Sequence, residues 1–355
     1  MSSAAQTALS QRADRLMPVR LWLYGIALLV LLMVVVGGAT RLTDSGLSIT
    51  KWKPISGIIP PLGDADWQAE FSAYQQIPEY SLVNHTMTLE EFKGIFWWEW
   101  AHRALGRVIG FAFFVPFAIF LVQRRLDWKL APALAVLFVL GGLQGALGWW
   151  MVTSGLSERI DVSQYRLAAH LAAACVLFLA LLFVARRIRP ANRATSAGKG
   201  WVWPVAGFGA LVFLQIVAGA FVAGLDAGFV HNDWPMMTGE WIPFDLFAHS
   251  PWWINFFENL TTVQFMHRLI AYLILFFALW LALSSFRLTG WRGVQGWAPV
   301  VAALTLIQAG LGIVTLMLVV PLGLALAHQL VAFLLIGVVI LWVEDLTHPA
   351  VAVRY

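Results

Sequence analysis

Eight histidines occur in the 355 residues, and four of them, His102, His170, His267 and His328, fall inside long apolar stretches. An ionisable group within a membrane-type segment is costly and marks function by default. Four of them, two in each half of the chain, are hard to explain as isolated structural hydrogen bonds. Zinc would need further cysteine or carboxylate ligands, and the single cysteine, Cys175, sits in an apolar run as a small packing residue. Two neutral imidazoles facing one another across a four-helix unit suit haem iron held on both faces of the macrocycle. The spacing therefore implies two haem sites, one per half. The other four histidines (His85, His231, His249, His348) fall in loops or the tail and read as solvated.

Residues beside these four extend the chemistry. Arg103 and Arg268 directly follow two of the histidines and are candidate contacts for haem propionates, with snorkelling to the interface as the competing reading. Lys51 and Lys53 are weaker candidates for the same role. Glu99 lies three residues before His102 and so shares its helix face, one turn outward. The corresponding position in the second half is Gln264. A carboxylate there could accept a proton or stabilise developing positive charge. This difference nominates Glu99 as catalytic, the first half as the reaction site, and the second half as the seat of a permanent redox cofactor.

The elements that must position these groups are membrane helices. Apolar residues make up 60% of the chain and charged residues only 12%, with 19 tryptophans. That excludes an ordinary soluble enzyme and a disordered chain. The net charge of +4 comes from short clusters between apolar runs and does not suggest nucleic acid. Spans are expected at 21–39, 92–122, 130–152, 165–186, 201–225, 261–286, 294–318 and 322–343, with Pro321 and Gly323 turning the chain between the last two. The Lys/Arg bias puts both termini and the short connections in the cytoplasm, and leaves two long loops, 41–90 and 226–260, outside. These Trp- and Pro-rich loops read as packed caps. Thr88 and Glu91 form a capping box that starts the second spanning helix near Leu89 and carries it to Val122. Ser250-Pro251 offers a similar start for the sixth.

The chain also repeats itself. Glu99-Trp-Ala-His102-Arg103 matches Gln264-Phe-Met-His267-Arg268, and Gln144-Gly-Ala-Leu-Gly148 matches Gln308-Ala-Gly-Leu-Gly312. Leu167-Ala-Ala-His170 matches Leu324-Ala-Leu-Ala-His328, and Val36-Gly-Gly-Ala39 matches Val217-Ala-Gly-Ala220. The expected fold is all-α, with eight transmembrane helices in two pseudo-symmetric parallel four-helix bundles. Its parts are a cytoplasmic tail (1–20), an N-terminal half (21–188), a cytoplasmic linker (189–200), a C-terminal half (201–343) and a second tail (344–355). All four histidines lie near the outer ends of even-numbered spans.

The segments GGATRLTDSGLS (37–48), EWAHR (99–103), QGALGWWMVTSGL (144–156), AGLDAGFVHNDWPMM (223–237), FMHR (265–268) and ALAHQ (325–329) resemble those of the haem A synthases of bacteria and mitochondria. The resemblance covers about 20–345. It implies an oxidoreductase acting on a CH, CH2 or CH3 group, which oxidises the C8 methyl of haem O to a formyl group by successive hydroxylations and supplies haem A to terminal oxidases. It further implies that His267 and His328 ligate a low-spin haem b cofactor, that His102 and His170 hold the substrate haem, and that Glu99 is needed for the conversion. Some members carry cysteine pairs in the outer loops; this chain has none, so a mechanism using a loop disulfide does not apply. The farnesyl tail of haem O needs an apolar channel, for which Trp149 and Trp150 are candidates beside the reading as lipid-facing aromatics. Expected surroundings are the bacterial inner membrane and its lipid, with a haem O synthase and oxidase assembly factors as partners and homo-oligomerisation open. The competing readings are a two-haem cytochrome b in quinol-linked electron transfer and a haem transporter.

Overall fold

The computed structural model describes residues 3–157, 159–189, 199–286 and 292–347, with the side chains of 3–14, 199 and 292–295 left out. The linker 190–198, Arg193, Arg287 and His348 lie outside the described residues. Among the described residues, eight helices are long and apolar enough to cross a membrane. They are α1 (Ser3–Leu42), α4 (Leu89–Val122), α5 (Leu130–Val152), α6 (Gln164–Arg187), α7 (Val202–Gly224), α9 (Leu260–Ser285), α10 (Arg292–Met317) and α11 (Leu322–Thr347). Three short helices sit in the loops: α2 (Asp64–Tyr74), α3 (Pro78–Leu82) and α8 (Asn255–Glu258). Among the described residues the only β-type pairing is an isolated bridge between Met237 and Glu240.

Local sequence explains the helix starts. The Thr88 hydroxyl accepts from Glu91 N while Glu91 Oε2 accepts from Thr88 N at 2.8 Å, so the expected capping box begins α4 and the helix runs 34 residues. At about 1.5 Å per residue α4 is roughly 51 Å long and outreaches an apolar core of about 30 Å. The start expected at Ser250-Pro251 is corrected: that pair precedes a 3-10 turn at Trp252–Ile254 and the short α8, not the spanning helix. The spanning helix begins ten residues later, where Asn259 Oδ1 accepts from Thr262 N at 3.0 Å. The turn between the last two spans holds Pro321 as expected, but Gly323 already lies within α11, and Val319 and Val320 take the left-handed positions with φ of 60° and 56°.

In each half the spanning helices contact one another in a closed cycle, α1–α4–α5–α6 in the first and α7–α9–α10–α11 in the second. The halves meet where α6 touches α7 and α11, and where α1 touches α11. Leu23, Leu134, Leu181, Phe208, Leu281 and Phe333 are among the fully buried residues of one continuous core running through both halves. Ion pairs join the halves at both ends. Asp345 on α11 accepts from Arg186 Nε and Nη2 at 2.9 and 3.0 Å and from Arg189 at 2.6 Å. At the end bearing the long loops, Arg41 meets Asp226 at 2.8 Å and Asp44 at 2.9 Å, with Asp161 at 3.7 Å.

The first long loop is a packed cap, as its composition suggested. Trp67, Phe71 and Tyr74 recur on one face of α2 and pack with Phe92 and Phe96 of α4 in a second core. Tyr74 and Phe92 are fully buried there.

Candidate functional site

His170, His267 and His328 stand about two turns into α6, α9 and α11, and His102 about four turns into the longer α4. All four Nδ1 atoms are buried without a hydrogen-bond partner. A buried polar atom left unpaired costs about 1–3 kcal/mol, so four together mean that the chain alone does not complete these positions. The His267 and His328 rings face each other across the second half, centroids 6.5 Å apart at 69°. His102 and His170 lie within electrostatic range of each other in the first.

Every one of these rings has a glycine against it from another helix. A Cβ at Gly37 would stand 2.8 Å from His102 Cε1, and at Gly312 2.8 Å from His328 Cε1. At Gly148 and Gly219 the distance to Cε1 of His170 and His267 would be 3.2 Å. Three glutamines complete the seats. Gln144 donates to His170 O at 2.7 Å, Gln215 donates to His267 O at 2.9 Å and lies 3.1 Å from its Nε2, and Gln308 lies 3.3 Å from His328 Nε2. Sequence reading used Gly148 and Gly312 only as repeat markers; their place four residues after Gln144 and Gln308 was the available signal. Gln215 was missed, since the repeat offers no glutamine on α1.

Among the described residues no group of three or more His, Cys, Asp or Glu side chains gathers as a metal cluster. Pairs of imidazoles with unmatched nitrogens fit a metal held from two sides, and hence haem iron, better than zinc.

Glu99 is buried, and both its oxygens are engaged. Oε2 accepts from Ser48 Oγ and Ile49 N, each at 2.7 Å, and Oε1 accepts from Arg103 at 2.5 Å. Arg103 also donates to the carbonyls of Ile49 and Lys51, and Arg107 to those of Lys53 and Pro54. The helix face carrying His102 thus clamps the first long loop. The second half has the same clamp in neutral form: Gln264 Nε2 donates to His231 O, and Arg268 to His231 O and Met236 O. Arg103 therefore serves the loop and Glu99, while the buried Nε of Arg268 remains unpartnered. Lys53 pairs with Glu70 at 2.7 Å. His231, expected to be solvated, is pinned between Thr238 (2.7 Å) and Thr261 (3.1 Å).

Sequence reasoning also passed over Glu79 of α3, buried in the cap with Oε2 unpartnered. Burial pushes its carboxyl up to about 8; Asp161, Asp44 and Glu99 add to this, and a hydrogen bond with Tyr74 opposes it.

Eight apolar helices bundled around buried, incompletely satisfied histidines define a multi-pass helical membrane protein. The family model described as cytochrome oxidase assembly protein matches residues 20–340. The chain is 53% identical over 322 residues to the haem A synthase of Chelativorans sp. (strain BNC1), covering 90% of this chain and 88% of the relative. It is 52% identical over 325 residues to that of Parvibaculum lavamentivorans, covering 92% and 93%, and 52% identical over 348 residues to that of Azorhizobium caulinodans, covering 97% of each. The chain belongs to the cytochrome oxidase assembly protein family.

Proposed function

We infer that the chain makes haem A, oxidising the C8 methyl of haem O to a formyl group. The observation that carries this is the set of four buried imidazoles, two per half, each with an unmatched Nδ1, in a chain about half identical to haem A synthases over nine-tenths of its length. In this reading the halves are pseudo-symmetric bundles spanning 21–188 and 201–343. His267 and His328 hold haem b, which when bound stores and passes single electrons. His102 and His170 hold the substrate haem.

The chain's own residues do the rest. Glycines at 37, 148, 219 and 312 leave each imidazole its space, and the glutamines fix the backbone behind two of the rings. Glu99 sets a fixed negative charge one turn outward of His102. Because Arg103, Ser48 and Ile49 N already occupy its oxygens, it acts on the site electrostatically through that network. Arg268 Nε is the N–H left to meet a propionate. The Lys/Arg distribution puts both termini in the cytoplasm and the histidine-bearing ends toward the outer face of the inner membrane. A substrate this apolar calls for direct transfer from the enzyme that makes it.

The test is haem extraction and mass spectrometry from cells that produce haem O and express this chain. Haem A in the extract supports the reading. Only tightly bound b-type haem, with haem A never formed, would hand the assignment to a two-haem electron-transfer cytochrome.

A further inference from the structure

The two halves differ in how tightly one pair of helices closes. In the second half α9 and α10 are in much more extensive contact than α4 and α5 are in the first. What contact there is includes a clasp more than two turns in from the connection, where Phe138 meets Phe113 at 5.7 Å and Phe114 at 5.6 Å. Between that clasp and the level of His102, both helices turn to glycine. Nothing lies within 4 Å of where a Cβ would stand at Gly110, Gly141, Gly142 or Gly145. Small residues usually let membrane helices approach closely; here they border open space.

The repeat carries larger side chains at the corresponding positions. In the register that aligns His102 with His267 and Gln144 with Gln308, Gly106 and Gly110 correspond to Ala271 and Leu275. Gly141, Gly142 and Gly145 correspond to Thr305, Leu306 and Ala309. All five positions carry larger side chains in the second half, and Thr305 is buried where Gly141 is exposed. The rim of the gap is apolar and exposed: Phe111 on α4, Val139 and Leu143 on α5. Such a rim suits hydrocarbon.

The geometry points to a side entrance between α4 and α5, through which the hydrocarbon tail of a tetrapyrrole substrate reaches from the lipid to the His102–His170 site. This rests on the first half being the substrate half. It deepens that reading by giving the two halves different access: one window open to the bilayer, and one bundle shut around a cofactor that stays. The glycines at 110, 141 and 142 set the width of the window, and the Phe113–Phe114–Phe138 clasp sets its floor.

The experiment uses the full chain in phospholipid nanodiscs, loaded with farnesylated haem or with untailed haem b. It compares wild type with Gly110→Leu and Gly142→Leu, each copying the second half. The entrance predicts a loss of farnesylated-haem uptake of about tenfold or more, as an overfilled gap would give. Uptake of untailed haem, and the haem held by His267 and His328, should stay as in wild type. Equal uptake of the tailed haem by wild type and variants would overturn the entrance. If wild type takes up neither haem at His102 and His170, the functional reading itself fails, and the entrance with it. A second measurement needs no variant: a tetrapyrrole with a diazirine on its tail is photolysed on the wild-type chain. Adducts within 104–114 and 138–145 support the entrance, while adducts on α1, α9 or α10 refute it. Chain-to-chain crosslinks from a photoreactive residue at Leu143 would show a second copy filling the gap, and would refute it equally.

Discussion

Glu99 and Gln264 occupy the same place in the two halves and differ by one charge. Both tie a long loop to the helix that carries a histidine, so the difference between them is electrostatic more than architectural. Glu99→Gln keeps the side-chain length and an oxygen able to accept from Ser48 and Ile49 N. It should lower haem A formation by about 100-fold, the scale on which one aimed charge or donor acts. Bound haem b and the protease resistance of the first loop should stay unchanged. Glu99→Ala should lose both activity and that resistance. Near-normal activity in Glu99→Gln would reduce the residue to a loop clip. The glycine seats give a graded prediction. Gly312→Ala, with its Cβ 2.8 Å from His328 Cε1, should perturb the visible spectrum of the bound haem more than Gly219→Ala, at 3.2 Å from His267 Cε1. The reverse order would mean that the rings are not held against these glycines.

The second spanning helix was legible in the sequence because its signal is local: Thr88 and Glu91 are three residues apart and satisfy each other's backbone groups. The sixth was legible as a span but not in its start: Asn259 caps it through Thr262 N, and its amide is also held across the loop by Asp245 O, a contact that no local pattern announces. Helices α2 and α3 escaped notice although Trp67, Phe71 and Tyr74 carry a helical spacing. Their partners, Phe92 and Phe96, lie beyond a turn and complete the core only in three dimensions. Glu79 belongs to this cap and gives it a pH dependence. Its folded carboxyl titrates near 8 against an ordinary 4.5, so the native cap binds its proton more tightly than the open loop does. That contribution is full below about 4.5 and is lost as pH rises through about 8. The charged and titratable groups acting on it are Asp161, Asp44, Glu99 and Tyr74. Glu79→Gln keeps a neutral side chain that can still bond Tyr74. Hydrogen exchange across 64–88 should therefore accelerate between pH 6 and 9 in wild type beyond the intrinsic rise, and should not do so in the variant. Matching profiles would show that Glu79 is not protonated in the cap.

Across the whole molecule, the count of eight spans among the described residues and the placing of four histidines on spanning helices were readable because long apolar runs mark the spans in the chain itself. The way the halves hold together was not. Arg186 and Asp345 are 159 residues apart, and Arg41 and Asp226 are 185 apart; no local pattern announces such pairs. Asp345 takes hydrogen bonds from Arg186, Arg189 and Trp297. Replacing it with Asn should cost about 1–3 kcal/mol, seen as a lower thermal midpoint in detergent, and an unchanged midpoint would show that the apolar interface alone joins the halves. The central claim is that the halves divide the work, one keeping a cofactor and the other receiving a substrate. The most direct measurement is the haem content of three purified proteins: wild type, His102→Ala/His170→Ala and His267→Ala/His328→Ala. The division of labour predicts haem b retained in the first double variant with no haem A formed, and haem b lost from the second. Loss of the resident haem b from the first variant, or its retention in the second, would contradict it.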